Sequence, residues 1–138
     1  MALLPTAPKS DGVVCFAGDG DFQMTCQELA TAAQAQIFPI ILIVNNATYG
    51  TIRVHQEKNY PGRVSCTDIV NPDFIGLAQS FGFLGISVKT TDGFFAAFSQ
   101  ALNSKNGAVL DLNVSSESLV PSQSLSEIRQ KALNNQKD

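Results

Sequence analysis

The sequence predicts an α/β fold with a doubly wound, mostly parallel sheet. Three observations carry this. Two apolar runs, residues 12–17 (GVVCFA) and 40–44 (IILIV), flank a helix-patterned stretch. The 24 residues from Asp21 to Val44 suit a strand–loop–helix–strand unit, the smallest piece of a parallel sheet. Downstream, strand and helix patterns keep alternating, as in βαβ architectures.

Gly12 to Ala17 is the first expected strand, and it delivers Gly18-Asp19-Gly20-Asp21. A helix over 21–36 follows, with Phe22, Cys26, Leu29 and Ala33 on one face. Ile40 to Val44 is apolar at every position, the pattern of a strand covered on both sides, and it ends at Asn45-Asn46. Residues 47–58 are expected to be a short helix, and 60–70, with its Pro-Gly turn, a loop over a site or a partner. Asn71-Pro72 reads as a helix cap and first position, Phe74, Leu77, Ala78 and Phe81 as the apolar stripe, and Gly82 as the stop. A strand over 83–88 follows. Asp92 should cap the next helix, with Phe95, Phe98 and Leu102 on the core, and 108–114 is the last strand. After a polar linker, Ser124 and Glu127 have capping-box spacing for a final helix to about Leu133, its Arg129 and Lys131 late enough to suit the helix dipole.

Both polar loops, at 18–21 and 45–46, open on the carboxyl edge of the sheet, where open α/β sheets bind ligands. Gly18 and Gly20 allow a sharp turn and close approach to a ligand, and a helix start beside them favours an anion such as a phosphate. Asp19 and Asp21 would repel an uncompensated phosphate. A divalent cation removes that conflict by accepting carboxylate and phosphate oxygens together. Its best donors are Asp19, the amide oxygen of Asn46 and a carbonyl just after it. Hard oxygen ligands point to Mg²⁺ or Ca²⁺ rather than Zn²⁺. A dinucleotide fingerprint would need glycine at position 23, where Gln23 stands.

GDGDFQMTCQELATAAQAQIFPIILIVNN resembles the cofactor motif of thiamin diphosphate-dependent enzymes. NNATYGTIRVHQEKNYPGR and NPDFIGLAQSFGF resemble the acetolactate synthase-like branch of that family. The resemblance implies a partial thiamin diphosphate-binding (PP-type) domain over 12–114, after a lead-in at 1–11 and before a linker and helix at 115–138. It implies thiamin diphosphate with Mg²⁺, held by Gly18, Asp19, Gly20, Asp21, Asn46, Thr48, Tyr49 and Gly50. Asp19, Asn46 and the Thr48 carbonyl would be the metal ligands. Thr51, Ile52 and His55 would lie at the substrate end. Ile52 stands where related decarboxylases carry a catalytic glutamate, and His55 where acetolactate synthases carry a tryptophan. No catalytic residue is assigned. His55, the only histidine, reads as a surface or packing residue, and Arg53, Lys58 and Arg63 as solvated charge.

The implied activity is decarboxylation of a 2-oxo acid with acyl transfer. The alternatives are a benzoylformate-like 2-oxo-acid decarboxylase and a non-catalytic cofactor-binding module. A pyrimidine-binding domain, with its activating glutamate, would come from the parent chain or another subunit. This chain is therefore expected to be the carboxyl-terminal part of a larger, oligomeric enzyme and inactive alone.

The bulk numbers agree with this reading. A chain of 138 residues, 44% hydrophobic and 15% charged, is about one globular domain. Nine basic and twelve acidic residues, without a basic block, argue against a nucleic-acid or anionic-membrane partner. No apolar run reaches the ~18 residues of a membrane span. Residues 1–11 lack a secretory pattern. Cys15, Cys26 and Cys66 lack CxxC spacing and read as reduced, mostly buried cysteines of a cytoplasmic protein.

Overall fold

The computed structural model describes residues 12–136, so the lead-in expected at 1–11 lies outside them. Four parallel strands form one sheet in the order β1-β2-β4-β3. They are β1 (Val14–Gly18), β2 (Ile40–Asn45), β3 (Leu84–Val88) and β4 (Ala108–Asn113). The helices are α1 (Asp19–Thr25), α2 (Glu28–Gln34), α3 (Gly50–Asn59), α4 (Phe74–Ser80), α5 (Thr91–Asn103) and α6 (Leu125–Asn135). The expected α/β doubly wound sheet is therefore present.

Strand alternation divides the core in two. Ile41, Ile43 and Val109 pack with Phe22, Leu29, Ala32, Phe74 and Ala78 from α1, α2 and α4. Ile40, Leu42, Ala108 and Leu110 pack on the other face against Ala97 and Ala101 of α5. Both faces of β2 and of the first half of β4 are thus covered, which explains the apolar runs Ile40 to Val44 and Ala108 to Leu110. A third cluster joins α3 to α6 through Val54, Leu125 and Ile128, away from the sheet.

Several local expectations are corrected. The helix expected over 21–36 begins at Asp19 and divides at Cys26-Gln27, where the Leu29 and Ala30 amides bond three residues back, to Cys26 and Gln27. Such tightening interrupts a regular α-helix. The helix expected from Ala47 starts at Gly50, because Ala47 is left-handed (φ 52°) and Thr48 bridges Asp68. Asp73, not Asn71, caps α4, its carboxylate accepting from the Ile75 and Gly76 amides; Gly82 (φ 83°) follows the helix as expected. Thr90, not Asp92, caps α5.

On α5 the expected face holds for Phe98 but not for Phe95 and Leu102. Phe95 (76% exposed) and Leu102 (63%) point outward, while Ala97 and Ala101 are buried and Phe94 and Phe98 flank them. Small residues let the helix approach the sheet, so they take the central line. The cysteines are free, but none is buried: Cys15 and Cys26 are half-buried and Cys66 exposed. The capping box at Ser124 and Glu127 is present. Arg129 does not serve the α6 dipole; it pairs with Glu57. No helix among the described residues is long and apolar enough to cross a membrane.

Candidate functional site

A cavity of about 410 Å³ opens over the carboxyl ends of β1 and β2. Gly18, Asp19, Gly20 and Asp21 line one side, Asn46, Thr48, Tyr49 and Gly50 another. All eight residues expected at a cofactor therefore share one cavity. Thr51 and Ile52 line it too, whereas His55 is exposed on α3 and is not among the lining residues. Val114, Ser118 and Leu119, just beyond β4, complete the wall; no local pattern along the chain points to them.

Asp19 is the fixed point. It is 3% exposed. Its Oδ1 accepts from the Gly20 amide (3.0 Å), and its Oδ2 from the Ala47 amide (2.8 Å) and Asn71 Nδ2 (2.7 Å). One carboxylate thus ties the first loop to the second. Asn46 Oδ1 accepts from the Thr48 amide (2.9 Å), an Asx turn that draws Thr48 inward; Thr48 is 8% exposed. The Tyr49 amide donates to the Thr67 carbonyl and the Ile69 amide to the Ala47 carbonyl, so the long loop after α3 braces this wall.

The glycines mark close approach. A Cβ on Gly20 would sit 2.6 Å from Tyr49 Cε1, and one on Gly50 2.9 Å from Leu119 Cδ2. The first contact packs the two loops together, and the second packs the segment after β4 onto the start of α3.

Behind α3 lies an ion-pair network that the sequence did not reveal. Glu57 is fully buried and accepts from the Gly62 amide (2.9 Å), from Arg129 Nε (2.9 Å) and from the second arm of the same guanidinium. The Arg129 hydrogen bonds hold the Glu57 carboxyl below the usual carboxylate range, against the opposing effect of burial. The same pairing holds the Arg129 pKa above its usual value. Arg53, expected to be solvated, is 18% exposed at its side chain. Its Nη1 donates to Thr67 Oγ1 (2.8 Å) and Asp68 (3.1 Å), and its Nε lies 3.7 Å from Glu57. The network joins α6, α3 and the bracing loop.

No group of three His, Cys, Asp or Glu side chains suited to a metal lies together among the described residues. A cation at the cavity would have to combine the buried Asp19 carboxylate with amide and carbonyl oxygens and with oxygens of its own ligand. That donor chemistry fits a hard divalent cation bridging to a diphosphate.

The comparisons with known proteins bear on the same region. Residues 1–112 match the model described as "Thiamine pyrophosphate enzyme, C-terminal TPP binding domain". The acetolactate synthase large subunit of Haemophilus influenzae is 41% identical over 114 residues, covering 80% of this chain and 20% of its own length. Acetolactate synthase isozyme 2 large subunit of Escherichia coli is 36% identical, covering 78% of this chain and 20% of its own length. A thiamine diphosphate-dependent 4-hydroxybenzoylformate decarboxylase of Rhodococcus jostii superposes with a TM-score of 0.71 at 30% identity. That match covers 77% of this chain and 20% of the decarboxylase. The chain thus spans about one fifth of the length of the relatives it matches.

Proposed function

Because this chain belongs to the thiamine pyrophosphate enzyme family, as a C-terminal TPP-binding domain of acetolactate synthase-like type, we propose that it anchors thiamin diphosphate through Mg²⁺ within a larger enzyme acting on 2-oxo acids. The observation that carries this is the convergence of Asp19, Asn46 and Thr48 on one cavity, beside the Gly18–Asp21 turn. Asp19 and Asn46 would hold the cation through side-chain oxygens, and Thr48 through its carbonyl. The Asp21 amide would face the diphosphate; the Gly20 amide, expected there too, is instead spent on Asp19 Oδ1. Tyr49 and Gly50 would continue the cofactor wall, and Thr51 and Ile52 the substrate end.

When bound, the cofactor supplies the carbon chemistry that amino-acid side chains lack. This chain's residues hold and orient it. Buried Asp19 keeps one fixed orientation, and the apolar Ile52 and Leu119 limit water on one side. The reaction of the whole protein is then decarboxylation of a 2-oxo acid with acyl transfer.

The wall is incomplete on its outer side, where Tyr49 is 42% and Ile52 53% exposed. This supports a second domain, from the parent chain or another subunit of a homo-oligomer, closing the site. It also supports the reading of residues 12–114 as part of a domain, with 115–138 as a linker and C-terminal helix. The isolated chain should therefore bind cofactor without turning over; carbon dioxide release from pyruvate by these 138 residues would overturn that. The benzoylformate-type structural relative favours a second reading, decarboxylation of an aromatic 2-oxo acid without acyl transfer.

The test is calorimetric titration of thiamin diphosphate into the chain with Mg²⁺ or with EDTA. Binding should need the cation, and Asp19→Ala should lose at least about tenfold in affinity, the effect of one strong charge-assisted contact. Cation-independent binding, or an unaffected Asp19→Ala, would refute the site. Pyruvate against benzoylformate, assayed with the whole protein, then separates the two activities, and neither substrate reacting would favour a binding module.

A further inference from the structure

The Asp19 carboxylate has about four lone-pair directions, two on each oxygen. Oδ2 uses both of its own, on the Ala47 amide and on Asn71 Nδ2. Oδ1 uses one, on the Gly20 amide. A single direction remains, on Oδ1.

Asn71 is held in place from three sides. Gln23 Nε2 donates to its Oδ1 (2.7 Å), and its Nδ2 donates both to Asp19 and to Asn45 Oδ1 (2.8 Å). Asn45 Nδ2 in turn donates to Asp111 Oδ1 (2.9 Å). The amide orientations follow from chemistry, because the carboxylate oxygens of Asp19 and Asp111 accept and so face the amide nitrogens. Both Nδ2 protons of Asn71 are therefore used, and the side chain has no freedom to release Asp19 Oδ2. The chain of bonds spans α1, the segment before α4, β2 and β4.

We propose that Asn71 is a positioning residue that sets the cation preference of the site. By filling Oδ2 it leaves Asp19 able to bind a cation through one oxygen only. Single-oxygen ligation suits small, octahedral Mg²⁺. Ca²⁺ takes six to eight oxygens and readily uses both oxygens of one carboxylate. Asn71 thus makes the site favour Mg²⁺ by withholding a ligand that Ca²⁺ would use. This rests on the reading of Asp19 as a cation ligand.

Asn71→Leu keeps the volume and removes both donors. Thiamin diphosphate is titrated into the wild-type chain and the variant at stepped Mg²⁺ or Ca²⁺, and thermal unfolding is recorded without cofactor. The wild type should need less Mg²⁺ than Ca²⁺. In the variant the Mg²⁺ requirement should rise roughly 10–100-fold, the usual effect of losing a partner behind a metal ligand. The Ca²⁺ requirement should change less, so the preference for Mg²⁺ falls. Gln23→Leu, which frees Asn71 without touching Asp19, should act in the same direction but less, and it serves if Asn71→Leu does not fold. An unchanged ratio between the two cations, whether or not both weaken, overturns the inference and assigns Asn71 a structural role. A wild type whose cofactor binding ignores the cation instead refutes Asp19 as a ligand, and the inference falls with it.

Discussion

Replacing Arg129 with methionine would strand the charge on Glu57. The stem of the side chain and its packing on α3 are largely kept, but two hydrogen bonds to a fully buried carboxylate disappear. Breaking a buried ion pair costs about 3–5 kcal/mol when the partner is left uncompensated. Here two features lower that figure. Arg129 is 38% exposed at its side chain, so water can reach the gap, and Arg53 remains 3.7 Å from Glu57. A loss of about 2–3 kcal/mol follows, or roughly 8–12 °C in Tm for a domain of this size.

The pH dependence gives the sign. In the wild type the Glu57 pKa lies below its unfolded value of about 4.3, so its stabilising contribution is complete above that pH and is lost as pH falls through the lower folded value. In the variant the lowering by Arg129 is gone while burial still opposes ionisation, with only the Gly62 amide and Arg53 left to favour it, so the contribution present above the unfolded pKa shrinks. The two Tm curves should diverge toward neutral pH and converge in acid. Differential scanning calorimetry from pH 3 to 7 checks this, with Glu57→Gln as control. That control should cost less than Arg129→Met, because the freed guanidinium can turn to water. A Tm gap constant across the range would show that packing, not charge, holds α6 to α3.

Two further outcomes can be measured on the same protein. Gly20→Ala places a methyl 2.6 Å from the Tyr49 ring and 3.2 Å from Ile69 Cδ1. Since Tyr49 is partly exposed its ring can swing aside, so the variant should lose about 1 kcal/mol in stability but more than tenfold in thiamin diphosphate affinity by calorimetry; unchanged affinity would remove Gly20 from the site. Ser124→Ala deletes the hydroxyl that accepts from the Glu127 amide and should cost about 1 kcal/mol. Hydrogen exchange should then quicken over residues 117–135 while β2 and β4 stay protected, and equal quickening in the strands would mean that this segment and the sheet unfold as one unit.

What could be read in the sequence was whatever neighbours along the chain decide. The run ending at Asn45 is a strand covered on both faces and the run ending at Gly18 is the edge strand beside it, with Phe16 exposed; no helix period fits either, so the parallel sheet was legible. The cavity loops were legible because the residues that line the cavity lie close together along the chain, Gly18 to Asp21 and then Asn46 with Thr48 to Gly50. The outward turn of Phe95 was not, because helical spacing alone does not say which of two adjacent faces lies near a sheet. Residue size decides it, with Ala97 and Ala101 beneath the sheet and the phenylalanine beside them displaced. Nor could Glu57 and Arg129 be paired, being 72 residues apart with no shared pattern.

Asn71 is the most informative departure. Asparagine before proline is a good helix cap, and the local rule favoured it. In the structure the capping is done by Asp73 instead, and Asn71 gives both protons of its amide to Asp19 and Asn45. Local propensity amounts to about 1 kcal/mol at a cap, whereas an underbonded carboxylate buried as deeply as Asp19 costs more. The tertiary demand wins, and a second capping residue two positions on makes the exchange nearly free of local cost. Departures of this kind concentrate where a structure holds a functional group in place. Here the cap that the local sequence favours is given up to fix the Asp19 carboxylate, buried in the cavity wall.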